Sequence, residues 1–136
     1  APPADDGVLT ETDVVKVKRK KRSGGALVWG GFLGGLLFSK AEHLNYGDNI
    51  IGRKDNAKPS DISIDDSFVS RQSINIKVSL APGMAGNTYK LTVLTAANPV
   101  FVNSNSLETG EYTFLNYNDK IKIGHTVLTL KKLKKK

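Results

Sequence analysis

Cysteine is absent from the 136-residue chain. Its absence excludes a disulfide scaffold, thiolate metal sites and cysteine catalysis. Histidine is scarce too. The chain has two, His43 and His125, and neither is spaced from another histidine or a carboxylate as metal ligands usually are. Asp65 and Asp66 precede a serine in a loop-like segment, where capping and turn formation are their expected roles. No serine has the sequence context of a nucleophile elbow. The inventory therefore predicts no catalytic residue, no metal site and no cofactor.

A long hydrophobic run is also missing. The most apolar stretch, from Ala26 to Phe38, has about half the length needed to span a bilayer. It is interrupted by two glycine pairs, at 30–31 and 34–35. Two short strands joined by a glycine-rich turn, at Ala26–Trp29 and Leu36–Lys40, fit this stretch better than a signal peptide or a membrane anchor. We therefore expect no membrane span.

The excess positive charge lies in the tails. Residues 1–23 contain six Lys/Arg and four Asp/Glu, residues 131–136 contain five lysines, and residues 24–130 contain nine of each sign. The tails thus carry +2 and +5 of the formal net charge of +7, and the body is neutral. Nucleic-acid-binding domains normally carry basic surface on the fold itself, which argues against nucleic acid binding by the core.

The chain divides into one domain and two ends. We expect residues 1–23, which are rich in charge and poor in apolar area, to form a disordered basic tail or linker. Residues 24–133 are expected to form the domain, and residues 134–136 a lysine-rich C-terminal end. Attachment of the tails to a polyanion, either nucleic acid or an anionic membrane, is one functional hypothesis.

The body of the chain has a β pattern. Short β-prone segments separated by turn residues lie at 49–52, 61–64, 72–80, 88–95, 100–103, 112–115, 120–123 and 126–133. This spacing, without a helical period, predicts an all-β fold: a twisted sandwich of two mainly antiparallel sheets with no helix of three or more turns. The positions expected to point inward are Leu27, Leu37, Ile51, Ile62, Ile64, Ile74, Ile76, Leu91, Val93, Val102, Ile121, Ile123 and Leu128.

Three ordered blocks are more specific. Gly52-Arg53 is followed by a spacer, by the segment 61–64 and by Val69-Ser70-Arg71, and the segments 96–103 and 118–124 come later. In this order the blocks resemble the forkhead-associated (FHA) domain over about residues 25–133. The resemblance implies an FHA-type sandwich that recognises phosphothreonine in partner proteins, without catalysis, as a signalling module of a larger multidomain chain.

The resemblance also implies roles for four residues. Arg53 and Ser70 would contact the phosphate, Arg71 would flank the pocket, and Asn98 would hydrogen-bond to the backbone of the bound peptide. An arginine fork matches a phosphate bidentately, and a hydroxyl with neighbouring backbone N–H groups completes an anion pocket on a neutral body.

Other interpretations of these residues remain open. Arg53 could form a surface ion pair with Asp48 or Asp55, and the hydroxyl of Ser70 could cap its own turn. At the level of the domain, the alternative is an FHA-like fold that binds a partner protein without phosphate, through a strand edge or the opposite sheet face.

Three residues depart from the family pattern. Ser73 stands where the family usually has a histidine that braces the binding loops, and Pro99 and Val100 replace its Gly-Thr pair. Proline fixes its own φ and biases Asn98 toward an extended conformation, and valine lacks a hydroxyl. We expect either a different conformation of this loop or loss of the contact with the peptide backbone.

Overall fold

The computed structural model describes residues 21–30, 40–80 and 86–133. The regular elements in these ranges are strands: β1 (Arg22–Trp29), β2 (Lys40–Asn45), β3 (Gly47–Arg53), β4 (Ile62–Ile64), β5 (Ile74–Leu80), β6 (Asn87–Val93), β7 (Val100–Val102), β8 (Asn105–Leu107), β9 (Tyr112–Leu115), β10 (Lys120–Ile123) and β11 (Thr126–Lys132). In this part of the chain there is no helix of the length and hydrophobicity that a membrane crossing requires.

The strands form two sheets. One has the order β2-β1-β11-β10-β7-β8 and the other the order β4-β3-β5-β6-β9. The described neighbours pair antiparallel, except that β3 and β4 are parallel. The prediction of an all-β sandwich with two mainly antiparallel sheets is therefore confirmed.

Strand alternation positions the core. Successive side chains of a strand point to opposite faces of the sheet. Each strand with one buried face therefore contributes every second side chain to the core. The predicted inward residues are all buried, apart from Leu37, which lies outside the described residues. Further buried core residues include Leu44, Val69, Tyr89 and Leu115.

The strand boundaries at the start of the first sheet differ from the prediction. β1 begins at Arg22, which pairs with Asn45 of β2, so Arg22 and Ser23 belong to the sheet. The hydroxyl of Ser23 also donates to the carbonyl of Leu44 at 2.7 Å. β2 begins at Lys40, and the rest of the predicted strand Leu36–Lys40 lies outside the described residues. Residues 1–20 and 134–136 also lie outside them.

The strand directions give the sandwich two distinct ends. The loop pole is formed by the connections 54–61, 65–73, 94–99 and 124–125. At the other end is the tail pole, where the start of β1, the end of β11 and the turn between β2 and β3 lie together. β3 ends at the loop pole with Arg53. Ser70, Arg71 and Asn98 lie in the connections 65–73 and 94–99 at the same pole.

Two polar contacts stabilise the tail pole. The Tyr89 and Tyr117 hydroxyls are 3.0 Å apart, and the amide of Asn87 donates to the carbonyl of Ser23 at 2.9 Å, which ties the two sheets. Burial, together with the hydrogen bond to Tyr89, raises the pKa of Tyr117 to about 12. The hydroxyl therefore remains protonated at neutral pH.

Asn49 is a buried polar residue that fixes the turn between β2 and β3. It is 1% exposed, and its side-chain amide donates to the carbonyls of Asn45 at 2.8 Å and Ile76 at 3.0 Å. Its side-chain oxygen accepts from the backbone N–H of Asn45 at 2.9 Å. Removing this amide would leave buried backbone groups without partners, and such groups are costly.

We therefore expect Asn49→Ala to lower the free energy of unfolding by about 1–3 kcal/mol. Urea denaturation followed by tryptophan fluorescence or circular dichroism measures the change. Asn56→Ala, at an exposed loop position, is the matched control and should shift the free energy by less than about 0.5 kcal/mol. Equal effects of the two substitutions would contradict the role assigned to Asn49.

Candidate functional site

The end of β3 carries the first candidate side chain to the loop pole. A Cβ atom at Gly52 would lie 2.8 Å from the Cα of Gln72 and closer still to its backbone nitrogen. Only glycine therefore lets loop 65–73 cross the strand at this point. The backbone N–H of Arg53 donates to the carbonyl of Ser70 at 3.0 Å. The Gly-Arg dipeptide thus has a physical reason: it brings loop and arginine together.

Loop 65–73 is anchored on both of its sides. Val69 is buried in the core. The carboxylate of Asp66 accepts hydrogen bonds from the backbone N–H of His125 at 2.8 Å, the hydroxyl of Thr126 at 2.7 Å and the backbone N–H of Phe68 at 2.9 Å. Burial alone would raise the pKa of Asp66, but these hydrogen bonds outweigh it and hold the pKa below its ordinary value. The charged carboxylate therefore fastens the loop to the β10–β11 turn.

Ser70 joins two loops. Its hydroxyl oxygen accepts a hydrogen bond from the backbone N–H of Ala97 at 3.0 Å. The hydroxyl therefore bonds to loop 94–99 and does not cap its own turn, which was the alternative interpretation. A serine hydroxyl has one donor hydrogen besides its acceptor lone pairs, so that hydrogen remains for an anion.

Arg53 keeps most of its donors. Its Nη1 lies 3.5 Å from the carbonyl of Ser67, at the upper limit of a hydrogen bond. Of the two carboxylates proposed as its partners, Asp55 is affected by the charge of Arg53, which helps to lower the pKa of Asp55. Asp48 lies five residues away along β3, about 16 Å at the rise of an extended strand, and Asp55 pairs instead with Arg71, whose Nη1 is 3.7 Å from its carboxylate.

These residues share a cleft of about 260 Å³. Its lining consists of cationic and hydroxyl side chains, namely Arg53, Lys58, Ser70, Arg71 and Thr95. The structure thus brings three of the four candidate residues together. Such a lining suits an anion with several oxygen atoms. Within the described residues, no group of three His, Asp or Glu side chains could hold a metal ion.

Sequence analysis missed Lys58 and Thr95. The carboxylate of Asp55 accepts from the backbone N–H groups of Lys58 at 2.9 Å and Ala57 at 2.8 Å, and this turn carries Lys58 to the cleft. The N–H of Lys58 also has the largest part in lowering the pKa of Asp55. The sequence Asp55-Asn-Ala-Lys58 does contain an Asx-turn signal, but it does not show which surface the turn faces.

Asn98 lies beside this cleft and not in it. Its side-chain N–H donates to the carbonyl of Phe68 at 3.0 Å, which connects loop 94–99 to loop 65–73. It lines a neighbouring cleft of about 280 Å³, whose other residues are Phe68, Pro99, Phe101, Lys122, Gly124 and His125. Its second N–H and its side-chain oxygen take no part in this contact and remain as hydrogen-bonding groups.

The departures from the family pattern have structural consequences. Ser73 is buried, and its carbonyl accepts from the backbone N–H groups of Leu94 at 2.8 Å and Thr95 at 3.1 Å. Backbone groups therefore connect the two loops at this position. Val100 is 1% exposed and packs in the core at the start of β7, so the valine contributes buried apolar area where a hydroxyl is absent.

Comparison with known proteins assigns the family. The model of the FHA domain matches residues 49–124, which is more than half of the chain. No curated protein matches the chain.

Solved structures agree in fold. An FHA domain from Chlamydia trachomatis is 22% identical with a TM-score of 0.64, and the match covers 81% of this chain and 98% of that one. The yeast splicing factor Pml1 is 17% identical with a TM-score of 0.71, over 91% and 89% of the two chains. A domain from a study of phosphothreonine-dependent FHA domain interactions is 22% identical with a TM-score of 0.61, over 82% and 98%.

The carboxylate of Asp66 gives a prediction for loop 65–73. Asp66→Asn removes the charge and replaces one acceptor oxygen with a donor, so we expect a loss of about 1–3 kcal/mol in the free energy of unfolding near neutral pH. Chemical denaturation measures this loss. Asp65→Asn, at the exposed neighbouring position, is the matched control, and an equal loss there would contradict the assignment.

The same carboxylate predicts a pH dependence. Its pKa is lower in the folded than in the unfolded state, so the unfolded state binds the proton more readily. The stabilisation is complete above the unfolded aspartate pKa of about 3.9 and is lost as the pH falls through the lower folded value. Denaturation at a series of pH values should therefore show a steeper acid loss for the wild type than for Asp66→Asn.

Proposed function

The chain belongs to the FHA domain family, and on that basis we propose that its loop pole binds phosphothreonine-containing segments of partner proteins. The family consists in general of phosphothreonine-binding interaction modules. Within this general role, Arg53, Ser70 and Arg71 would bind the phosphate, because these side chains line one cleft. The grouping of these three side chains in one cleft is the main observation that supports the proposal.

Local charge supplies the attraction. Arg53, Lys58 and Arg71 line the cleft, and Asp55 is the acidic group that pairs with one of them. Phosphothreonine carries a charge of about −1.5 to −2 at neutral pH and three acceptor oxygens. Because the body of the chain is neutral, this cluster and not a long-range field would select the phosphate.

Each side chain has a distinct part in the proposal. The guanidinium of Arg53 would donate two parallel hydrogen bonds to phosphate oxygens, as its planar fork permits. The hydroxyl of Ser70, which already accepts from Ala97, would donate its hydrogen to a third oxygen. Arg71 would release part of its long 3.7 Å contact with Asp55 and add charge at the rim of the cleft.

Asn98 would read the peptide backbone beside the phosphate. One of its N–H groups is bonded to Phe68, and its remaining N–H and oxygen would serve the peptide. The module would act without catalysis, because hydrogen-bonding a phosphate requires no bond to be made or broken. Its affinity would be modest, since a flexible peptide must be ordered on binding.

Substitution of Arg53 tests the proposal. Arg53→Ala should weaken binding of a phosphothreonine peptide about tenfold to a hundredfold, because a charged hydrogen bond contributes roughly 1.5–3 kcal/mol. Isothermal titration calorimetry measures the change with one phosphothreonine peptide that has been selected from a library. Lys54→Ala removes the adjacent exposed cation and is the matched control. If Arg53→Ala binds as tightly as the wild type, the domain recognises its partner without this pocket.

Ser70 and the phosphate geometry give a second test. Ser70→Ala should weaken binding by less than Arg53→Ala, because a neutral hydroxyl is the weaker donor. Replacing phosphothreonine with aspartate or glutamate should lower the affinity strongly, since a carboxylate has one charge and a planar shape. Fluorescence anisotropy of labelled peptides measures both effects. An acidic peptide that binds as well as the phosphorylated one would point to a general anion surface.

A further inference from the structure

We propose that β9 is a second interaction surface, through which two copies of the domain pair edge to edge as a symmetric dimer. The dimer does not depend on the phosphate cleft. It follows from the chemistry of one strand at the edge of the second sheet.

β9 is the least protected edge of the sandwich. In the described part of the chain, β6 is its one neighbour. Proteins usually protect such edges with charged residues, proline, bulges or very short strands, because an unprotected edge pairs with other chains. β2 carries Lys40 and Glu42, and β4 and β8 have three residues each. The four residues of β9, Tyr-Thr-Phe-Leu, include no charge and no proline.

The backbone of β9 offers hydrogen-bonding groups to a further strand. Just before β9, the carbonyl of Glu111 accepts from the N–H of Val93 at 2.9 Å. In an antiparallel pair, residues that bond across the pair alternate with residues that do not. The N–H and C=O groups of Thr113 therefore point to β6, and those of Tyr112 and Phe114 point to the open side. An added strand binds such groups.

The same two residues have exposed aromatic side chains. Tyr112 is 57% exposed and Phe114 is 59% exposed. Their rings pack edge to face with 6.2 Å between centroids, and the Nζ of Lys90 lies 4.2 Å from the centroid of the Tyr112 ring. These contacts order the rings before binding, which lowers the entropy cost of an interface.

The strand is complementary to itself about Thr113. With a twofold axis at this residue, an antiparallel pair of β9 strands places each Tyr112 directly opposite Phe114 of the other copy. Opposed aromatic side chains stabilise antiparallel pairs. A shift of the register by two residues would leave one of the aromatic residues opposite Gly110 or Asn116. The chain therefore fits a second copy of itself in one preferred register.

The charges near the edge permit this pairing. Glu111 would lie opposite Leu115, and the two copies of Glu111 would be four residues apart along the strands, about 13 Å. The two copies of Lys90 would be three strand spacings apart, about 14 Å. Both separations exceed the Debye length of about 8–10 Å, so repulsion between these like charges is largely screened.

The contact is small, so the dimer is expected to be weak. A standard interface has about 20–30 residues on each side, and here β9 and its nearest neighbours form the contact. We expect a dissociation constant of about 10–100 µM. The phosphate cleft stays open, because β5 and β6 separate β9 from the strand of Arg53. Bivalent binding of a doubly phosphorylated partner would follow; this consequence, unlike the dimer itself, rests on the proposed function.

Sedimentation equilibrium of the full chain tests the dimer. Between about 10 µM and 1 mM the wild type should pass from monomer to dimer. Tyr112→Lys combined with Phe114→Lys places lysine opposite lysine and should raise the dissociation constant about tenfold or more. Circular dichroism checks that the variant is folded. A wild type that stays monomeric at 1 mM would overturn the proposal.

The matched control adds the same charge to two other edges. Ser63→Lys combined with Ser106→Lys alters exposed positions of β4 and β8 and should change the dissociation constant less than about threefold. Equal weakening by the two double variants would contradict the assignment to β9. Arg53→Ala should dimerise like the wild type, so failure of the phosphopeptide proposal remains distinguishable.

Disulfide cross-linking tests the register. The chain has no cysteine, so Thr113→Cys introduces a single thiol. In the proposed register the two Cα atoms at this position are about 4.5 Å apart, within the range that a disulfide spans. Oxidised glutathione should therefore link Thr113→Cys into a dimer at least about tenfold faster than Ser106→Cys, and the reduced variant should dimerise like the wild type. Equal rates of cross-linking would overturn the register.

A single-stranded oligonucleotide is the competing ligand, since exposed rings beside a lysine can also stack on bases. About ten uridines at a concentration equal to that of the protein should leave the sedimentation profile unchanged. Dissociation of the dimer by the oligonucleotide would overturn the assignment of this surface to a second copy.

Discussion

The loop pole depends on one close approach of backbone to backbone, where loop 65–73 crosses the end of β3. Gly52 leaves no room for a side chain at the crossing, and the N–H of Arg53 and the carbonyl of Ser70 are 3.0 Å apart. This contact sets the separation between a guanidinium and a hydroxyl that are distant in sequence. A hydrogen bond from Ala97 to the same serine, and the carboxylate of Asp66, then fix the loop to its neighbours.

A rigid support with spare hydrogen-bonding capacity is what a phosphate pocket requires. The groups that hold the loops are mostly backbone N–H and C=O groups and buried side chains, such as Val69 and the carbonyl of Ser73. The arginine fork and the serine hydrogen are left for a ligand. Such preorganisation lowers the entropy that binding must otherwise offset.

The sequence predicted those features that repeat along the chain or lie within a short motif. Inward positions such as Ile74, Ile76 and Leu91 follow from period-2 alternation, because each strand has one buried face. β8 was missed, since Asn-Ser-Leu has no strand preference of its own and is extended only because it pairs with β7.

The candidate site divides in the same way. Arg53 and Ser70 lie within short sequence motifs that can be recognised. Lys58 and Thr95 line the cleft only because of the path that their loops take. The partner of the Ser70 hydroxyl is 27 residues away, and no local pattern carries that information. Asn98 was expected to be affected by Pro99, and the structure adds that its amide bonds to Phe68.

The most direct test of the proposed phosphate cleft is a nuclear magnetic resonance titration of the full chain. A phosphothreonine peptide should shift the Arg53 side-chain N–H and Ser70 amide signals in a saturable way, and the unphosphorylated peptide should leave them in place. Equal shifts with both peptides, or phosphate-dependent shifts confined to the lysine-rich tails, would contradict the account.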